Sequence, residues 1–140
     1  METAATFLMI EIALVFIVGI EHIGICLLEI FGKPAQQAKA FDMSENFVKQ
    51  KEARVSMANQ GIYNGMLGLL LILSYFVFPF GTVIKVWQLL LGMIMVVAIF
   101  GGFTATKKIW LVQLIPALIA FLFLLFEVFT YPIHAGPSSE

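Results

Sequence analysis

The sequence predicts an all-α membrane protein, a bundle of four transmembrane helices with both termini outside and the basic loops in the cytoplasm. Three observations support this prediction. The 140 residues are 61% hydrophobic and only 12% charged, whereas soluble domains are roughly half apolar and a quarter charged. Four continuously apolar stretches reach about 20 residues, the length that crosses a hydrocarbon core as a helix. Basic residues are concentrated in two of the connecting segments.

The four spans are expected at about residues 6–31, 58–80, 83–105 and 109–131, within a single domain that comprises residues 1–140. Continuous apolar runs favour helices, because a membrane β-strand alternates between apolar and polar residues over shorter segments. We expect the first span to be retained and not cleaved as a signal peptide, because it is long and contains acidic residues. Pro79 and Gly81 predict a tight turn between the second and third spans.

Lysine and arginine residues predict the orientation. Five of them lie in segment 32–57, and Lys107 and Lys108 lie between the third and fourth spans, whereas Lys85 alone lies on the opposite side. Cytoplasmic loops are enriched in these residues, so segment 32–57 is predicted to be cytoplasmic and the protein to be a multi-pass protein of the cell (inner) membrane. Trp87 and Trp110 are expected in the aromatic belts at the outer and inner interfaces.

Segment 32–57 is the only long connection between predicted spans. Pro34 is expected to end the first helix, because proline cannot continue it. A further helix is predicted from about Ser44 and is expected to run into the second span. Asp42 and Glu45 resemble a capping pair at its start. Glu45 and Lys49 have the i,i+4 spacing of a helical ion pair.

Polar side chains within the spans are the candidate functional residues, since charged groups in a membrane are expensive and mark sites by default. At 1.5 Å of rise per residue, those of three spans fall in the cytoplasmic half of the bundle. They predict one inward-facing ligand-binding cluster, formed by Glu21, His22, Glu29, Asn59, Gln60, Tyr63, Asn64 and Gln113. Gly61 and Gly65 predict close helix packing beside it, and Pro116 predicts a kink next to Gln113.

This cluster is compatible with several functions. The leading hypothesis is the binding or transport of a small polar or cationic solute, with or without coupling to protons. A second hypothesis is a membrane-embedded enzyme that acts on a lipid or lipophilic substrate, with His22 and a glutamate as an acid–base pair. A divalent metal site is a third hypothesis, weakened because the spans contain no second histidine. The fourth is a structural or accessory subunit whose polar residues only join helices.

Cofactors and partners follow from composition. No cofactor or resident metal is predicted, and the catalytic residues of any enzyme remain unassigned. The lipid bilayer is the expected partner, together with an unidentified small-molecule ligand and a second copy of the chain if the protein transports, because four helices are few for alternating access. A net charge of −1 argues against a nucleic-acid partner. A single cysteine, Cys26, excludes an internal disulfide.

The polar residues also resemble the signature of a bacterial family of small four-helix membrane proteins, the domain-of-unknown-function 1304 family. The resemblance extends from Glu21 to Ala120. It is carried by Glu21-His22, Glu29-Ile30-Phe31, Asn59-Gln60-Gly61-Ile62-Tyr63-Asn64-Gly65 and Gln113-x-x-Pro116-Ala117. It implies the same membrane fold and the same polar positions, and it implies no activity.

Overall fold

The computed structural model describes the backbone of residues 2–130 and the side chains of residues 5–126. All regular structure in this part of the chain is helical. The helices are α1 (Glu2–Phe31), α2 (Pro34–Phe41), α3 (Glu45–Val48), α4 (Lys51–Val77), α5 (Phe80–Thr104) and α6 (Ile115–Thr130), and a π-helical turn, Trp110–Leu114, leads into α6. Tyr131, the predicted end of the fourth span, lies outside the described residues.

Among the described residues, three helical stretches are long and apolar enough to cross a membrane: Ala5–Phe31, Lys51–Val77 and Phe80–Thr104. The helical stretch Trp110–Phe126 is also apolar but shorter. The all-helical, membrane-compatible class is therefore confirmed. α4 begins before the predicted second span because charged residues such as Lys51 and Arg54 extend the helix beyond its apolar part.

α1 and α5 each pack against both α4 and α6. The apolar core occupies the half of the bundle that contains the first part of α1 and of α5. It includes Val15, Val18, Leu71, Trp87, Leu91, Ile94, Ala120 and Leu124. The opposite half is more polar, and it contains the candidate site.

Trp87 differs from its predicted place in a lipid-facing aromatic belt. Its side chain is fully buried. The indole Nε1–H donates a hydrogen bond of 2.8 Å to the carbonyl oxygen of Leu71, and the ring stacks on Tyr75. A buried tryptophan normally needs a partner for its N–H group. That partner is the backbone of α4, so Trp87 joins α5 to α4 instead of facing lipid.

α1 and α4 approach so closely that their glycines touch the neighbouring backbone. A Cβ atom on Gly68 would lie 2.4 Å from the carbonyl oxygen of Gly19, and one on Gly65 would lie 2.7 Å from Cys26 Sγ. Gly61 likewise faces Glu29 and its neighbours on α1. The predicted close packing at Gly61 and Gly65 is confirmed, and Gly68 extends it by one turn.

The predicted distortion at Pro116 is a π-helical turn. The N–H of Ile115 donates to the carbonyl oxygen of Trp110, one residue further back than in an α-helix. A proline within an α-helix clashes with the carbonyl group four residues earlier. The wider turn just before Pro116 relieves this clash.

The segment between α1 and α4 is more broken than predicted. Pro34 starts α2 after α1 has ended at Phe31. Ser44 caps α3, accepting a hydrogen bond from the Phe47 N–H at 3.2 Å, but α3 ends at Val48 and does not run into α4. The predicted ion pair is present, with Glu45 Oε1 2.6 Å from Lys49 Nζ.

The sequence suggested that Asp42 and Glu45 form a capping pair, but Asp42 does not cap α3, whose N-cap residue is Ser44. Asp42 ends α2 in the left-handed conformation, with φ of 53°. Asp and Asn adopt this conformation more readily than other non-glycine residues. The resulting turn directs the chain into α3 and exposes the carboxylate of Asp42 on the surface.

Candidate functional site

The polar residues of α1 follow its buried face. His22 is 1% exposed and Glu29 is 4% exposed. The two are seven residues apart, which places them on one side of the helix. Glu11 continues this stripe towards the other end of the bundle and is also buried. Glu11 shares the heptad spacing of Val15, Val18 and His22 along α1.

Glu29 and Asn64 form the polar contact between α1 and α4. Asn64 Nδ2 donates a hydrogen bond of 2.8 Å to Glu29 Oε2. Gly61 brings the two helices close at this level, because a Cβ atom there would lie 3.0 Å from the Cβ of Glu29. The buried carboxylate is thus bonded to a neutral amide, and no basic side chain among the described residues pairs with it.

His22 and Glu21 lie further into the bundle. The Nδ1–H of His22 donates to the carbonyl oxygen of Val18 at 2.9 Å, which fixes the ring against its own helix. The other ring nitrogen, Nε2, is then the atom that can exchange a proton. Glu21 is about 100° further round α1 than His22 and is only partly buried. Its Oε1 has no hydrogen-bond partner among the described residues.

Three predicted members of the cluster do not face inward. Asn59, Gln60 and Tyr63 are all exposed on the side of α4 that is turned away from α1. Tyr63 is 78% exposed. The spacing of the polar residues shows which of them share a face of α4, but it does not show whether that face or the glycine face packs against α1. Gly61, Gly65 and Gly68 settle that choice, because only they permit the observed approach.

Gln113 lies on the other side of α1, in the wall of a cavity of about 360 Å³. The cavity is formed where α1, α2, the α5–α6 connection and the π-helical turn meet. Its lining is almost wholly apolar and comprises Ile25, Leu28, Ala40, Phe41, Thr106, Lys108, Ile109, Leu111, Val112 and Gln113. The eight predicted residues therefore fall into three places, and only Glu29 and Asn64 are hydrogen-bonded to each other.

Asp42, Thr106 and Lys108 form a polar network beside the cavity. Lys108 Nζ lies 2.5 Å from Asp42 Oδ1 and donates to the carbonyl oxygen of Lys39 at 2.7 Å. The Thr106 hydroxyl donates to the other carboxylate oxygen. The hydrogen bonds from Lys108 and then Thr106 hold the pKa of Asp42 below its usual range. The network joins the two basic segments, so both lie at the same end of the bundle.

Gln37 is a buried polar residue whose structural role the sequence analysis missed. It is buried, and its Nε2 donates to the carbonyl oxygens of Leu28 and Glu29, both at 3.0 Å. The last carbonyl groups of a helix lack partners within the helix. Gln37 thus caps α1 and ties α2 to it. The break at Pro34 is the one sequence signal for this arrangement, because it allows the chain to fold back over the end of α1.

Comparisons with known proteins agree with the resemblance in the sequence. Residues 16–125 match the family described as protein of unknown function (DUF1304). The uncharacterized protein YpaA of Lactococcus lactis subsp. lactis (strain IL1403) is 34% identical over 105 residues, which cover 74% of this chain and 87% of YpaA. No solved structure gives a significant match. The family match covers most of the chain, from before Glu21 to beyond Gln113, so the chain belongs to the DUF1304 family.

Proposed function

We propose that the protein is a cell-membrane protein with four spans, both termini outside and the basic segments in the cytoplasm. Seven basic residues belong to the two segments that Asp42 and Lys108 join, whereas Lys85 lies at the other end. This distribution follows the positive-inside rule. The apolar stretch that begins at Trp110 continues as a helix to Thr130, which supports a fourth span.

The function that the geometry supports best is the binding of a small polar or cationic solute at Glu29, with Asn64 as its neighbour. The observation that carries this proposal is a buried carboxylate hydrogen-bonded to a neutral amide. A carboxylate in such a place is strongly disfavoured unless it is protonated or paired with a cation. A solute cation would supply the missing charge, and His22 and Glu21 would extend the site into the bundle.

The alternative is a purely structural role, in which the Glu29–Asn64 hydrogen bond only holds α1 to α4. Interhelical polar bonds in membranes are typically worth about 0.6–2 kcal/mol. The enzyme alternative requires His22 and a glutamate to line a pocket that admits a lipid. The cavity beside α2 is lined by neither. Solute binding is therefore the better proposal, and an experiment must distinguish it from a purely structural role of the Glu29–Asn64 bond.

The test uses protein purified in detergent, with thermal unfolding measured in tetramethylammonium, spermidine or tetraphenylphosphonium. We compare wild type with Glu29→Gln, which preserves a hydrogen bond to Asn64. The matched control is Glu52→Gln, at an exposed position on the same helix as Asn64. At least one cation should raise the melting temperature of wild type and of the control but not of Glu29→Gln. No shift with any cation, or equal shifts in all three proteins, would contradict the proposal.

A second readout is independent of unfolding. Dicyclohexylcarbodiimide modifies protonated carboxyl groups in apolar surroundings, and mass spectrometry locates the modified residue. The cation that stabilises wild type should protect Glu29 from modification. Labelling of Glu29 that is unaffected by that cation would indicate that the stabilisation arises elsewhere. Uptake of the same cation into proteoliposomes would then distinguish a transporter from a binding protein.

A further inference from the structure

The cavity beside α2 has the walls of a hydrocarbon site. Its volume of about 360 Å³ falls within the roughly 300–1,000 Å³ of small-molecule pockets. Seven of the ten lining side chains are aliphatic or aromatic, among them Ile25, Leu28 and Phe41. Water is poorly stabilised in an apolar cavity, because a buried water molecule needs several polar hydrogen-bond partners. Its chemistry therefore suits an acyl chain.

The cavity adjoins the surface that the bundle presents to the bilayer. Leu111 and Val112 contribute to its wall and are 67% and 46% exposed. These residues belong to the π-helical turn at the start of the fourth apolar segment. An exposed aliphatic side chain in a membrane segment faces lipid, so an acyl chain can reach the cavity from the bilayer.

The charge at the cavity is positive. Lys108 lines it, and Lys39, whose carbonyl oxygen accepts a hydrogen bond from Lys108, precedes the lining residue Ala40. Asp42 is the acidic residue of this network, and it neutralises one of these two positive charges. Basic residues at the cytoplasmic boundary of membrane helices attract anionic lipid headgroups. Half of the Lys108 side chain remains exposed despite its bond to Asp42.

We propose that this cavity binds an anionic phospholipid of the surrounding bilayer, with one acyl chain between α1, α2 and the π-helical turn and with the phosphate against the ammonium group of Lys108. Asp42 and the phosphate then compete for the same ammonium group. The site is separate from Glu29 and Asn64, which do not line the cavity, so it does not depend on the proposed solute binding.

Competition with Asp42 makes the proposal testable with two opposite substitutions. Both Lys108→Gln and Asp42→Asn break the ion pair, but only the first removes the positive charge that binds phosphate. Lys107→Gln is the matched control, because Lys107 is exposed and does not line the cavity. Ala40→Phe places a ring in the cavity and should exclude the acyl chain.

The probes are phosphatidylglycerol and phosphatidylcholine with identical acyl chains, added in equal amounts to the detergent-purified protein. Native mass spectrometry measures how much of each remains bound. Wild type should retain phosphatidylglycerol several-fold more than phosphatidylcholine. Lys108→Gln should lose this preference, Asp42→Asn should keep or increase it, and Lys107→Gln should change it little. Ala40→Phe should reduce binding of both lipids.

Three results would overturn the proposal. Equal retention of the two lipids by wild type would remove the role of the headgroup charge. Equal losses in Lys108→Gln and Asp42→Asn would show that the ion pair matters only for folding. Undiminished binding to Ala40→Phe would place the lipid outside the cavity. Thermal unfolding of each lipid-free variant identifies any that is misfolded, and Lys107→Gln provides the folded reference.

Discussion

The two sides of α1 are built in different ways. Towards α4, glycines bring the two backbones into contact, and Glu29 and Asn64 form one hydrogen bond within that contact. Towards α2 and the π-helical turn, bulkier side chains hold the elements apart and leave a cavity. A ligand at Glu29 must compete with a bond that already exists, whereas a ligand beside α2 enters existing space. The Glu29–Asn64 contact and the cavity thus lie on different but adjoining faces of α1, since Ile25 of the cavity wall is one turn from Glu29.

The largest effect should come from adding a methyl group on the tight side. In Gly68→Ala, the new Cβ would lie 2.4 Å from the Gly19 carbonyl oxygen, so the helices must separate. We expect a loss of about 1–3 kcal/mol in the free energy of unfolding. Reversible unfolding in detergent measures it. Gly24→Ala is the control, because its new Cβ would meet no atom within 4 Å apart from its chain neighbours and the backbone of its own helix. Equal effects of the two substitutions would contradict the described contact.

The next effect should come from removing the polar contact on that side. Asn64→Ala leaves the buried carboxylate of Glu29 without its amide donor. An unsatisfied buried group costs about 1–3 kcal/mol, so a loss of that size is expected in the same unfolding measurement. Asn59→Ala, on the exposed face of α4, should change stability by less than about 0.5 kcal/mol. A larger loss for Asn59→Ala would mean that this face is covered.

A smaller effect, of opposite sign, is expected on the loose side. Ala40→Phe adds a ring to a residue that lines the cavity, and the ring should fill space that is otherwise empty. We expect stability in lipid-free detergent to be unchanged or raised by up to about 1 kcal/mol. Thermal unfolding measures the change. A loss as large as that of Gly68→Ala would show that the two sides of α1 are packed equally tightly.

The smallest effect on stability should come from the polar network of Asp42, Thr106 and Lys108 beside the cavity. The pKa of Asp42 is lowered in the folded protein, first by the hydrogen bond from Lys108. Its contribution to stability is therefore present above the ordinary pKa of an aspartate, about 3.9, and is lost as the pH falls through the lowered value. Asp42→Asn should be slightly less stable than wild type at neutral pH, and the difference should vanish in acid. Melting temperatures measured from about pH 6 down to about pH 2 test this, and a difference that grows in acid would contradict it.

The sequence predicted the helical class and the close packing because each depends on local pattern. Apolar length identifies the spanning helices, and the spacing of Gly61 and Gly65 identifies a face that permits contact. The polar cluster was predicted less well. Depth along a helix follows from residue count, but rotation about the helix axis depends on which neighbour packs where. Glu29 and Asn64 share both depth and direction, whereas Tyr63 shares only depth.

Long-range contacts between loops could not be predicted from the sequence. Nothing in the residues around Asp42 indicates that it meets Lys108, because the two belong to segments far apart in the chain. The end of α2 at a left-handed aspartate was also missed, since glycine is the usual residue there. Trp87 illustrates a different limit, because composition places tryptophan at an interface and only tertiary packing reveals a backbone acceptor for its N–H.

The π-helical turn before Pro116 has a consequence for how the chain tolerates changes in length. Such a turn contains one residue more than the α-helical turn it replaces, so the wall of the cavity includes a surplus residue. Deleting Val112 would return the turn to α-helical length without altering the phase of Ala117, Ala120 and Leu124 in the core. The proline would then meet a carbonyl group that the wider turn now keeps clear of it. Pro116 therefore favours the chain that keeps Val112 and the π-helical turn, and this turn forms part of the cavity wall.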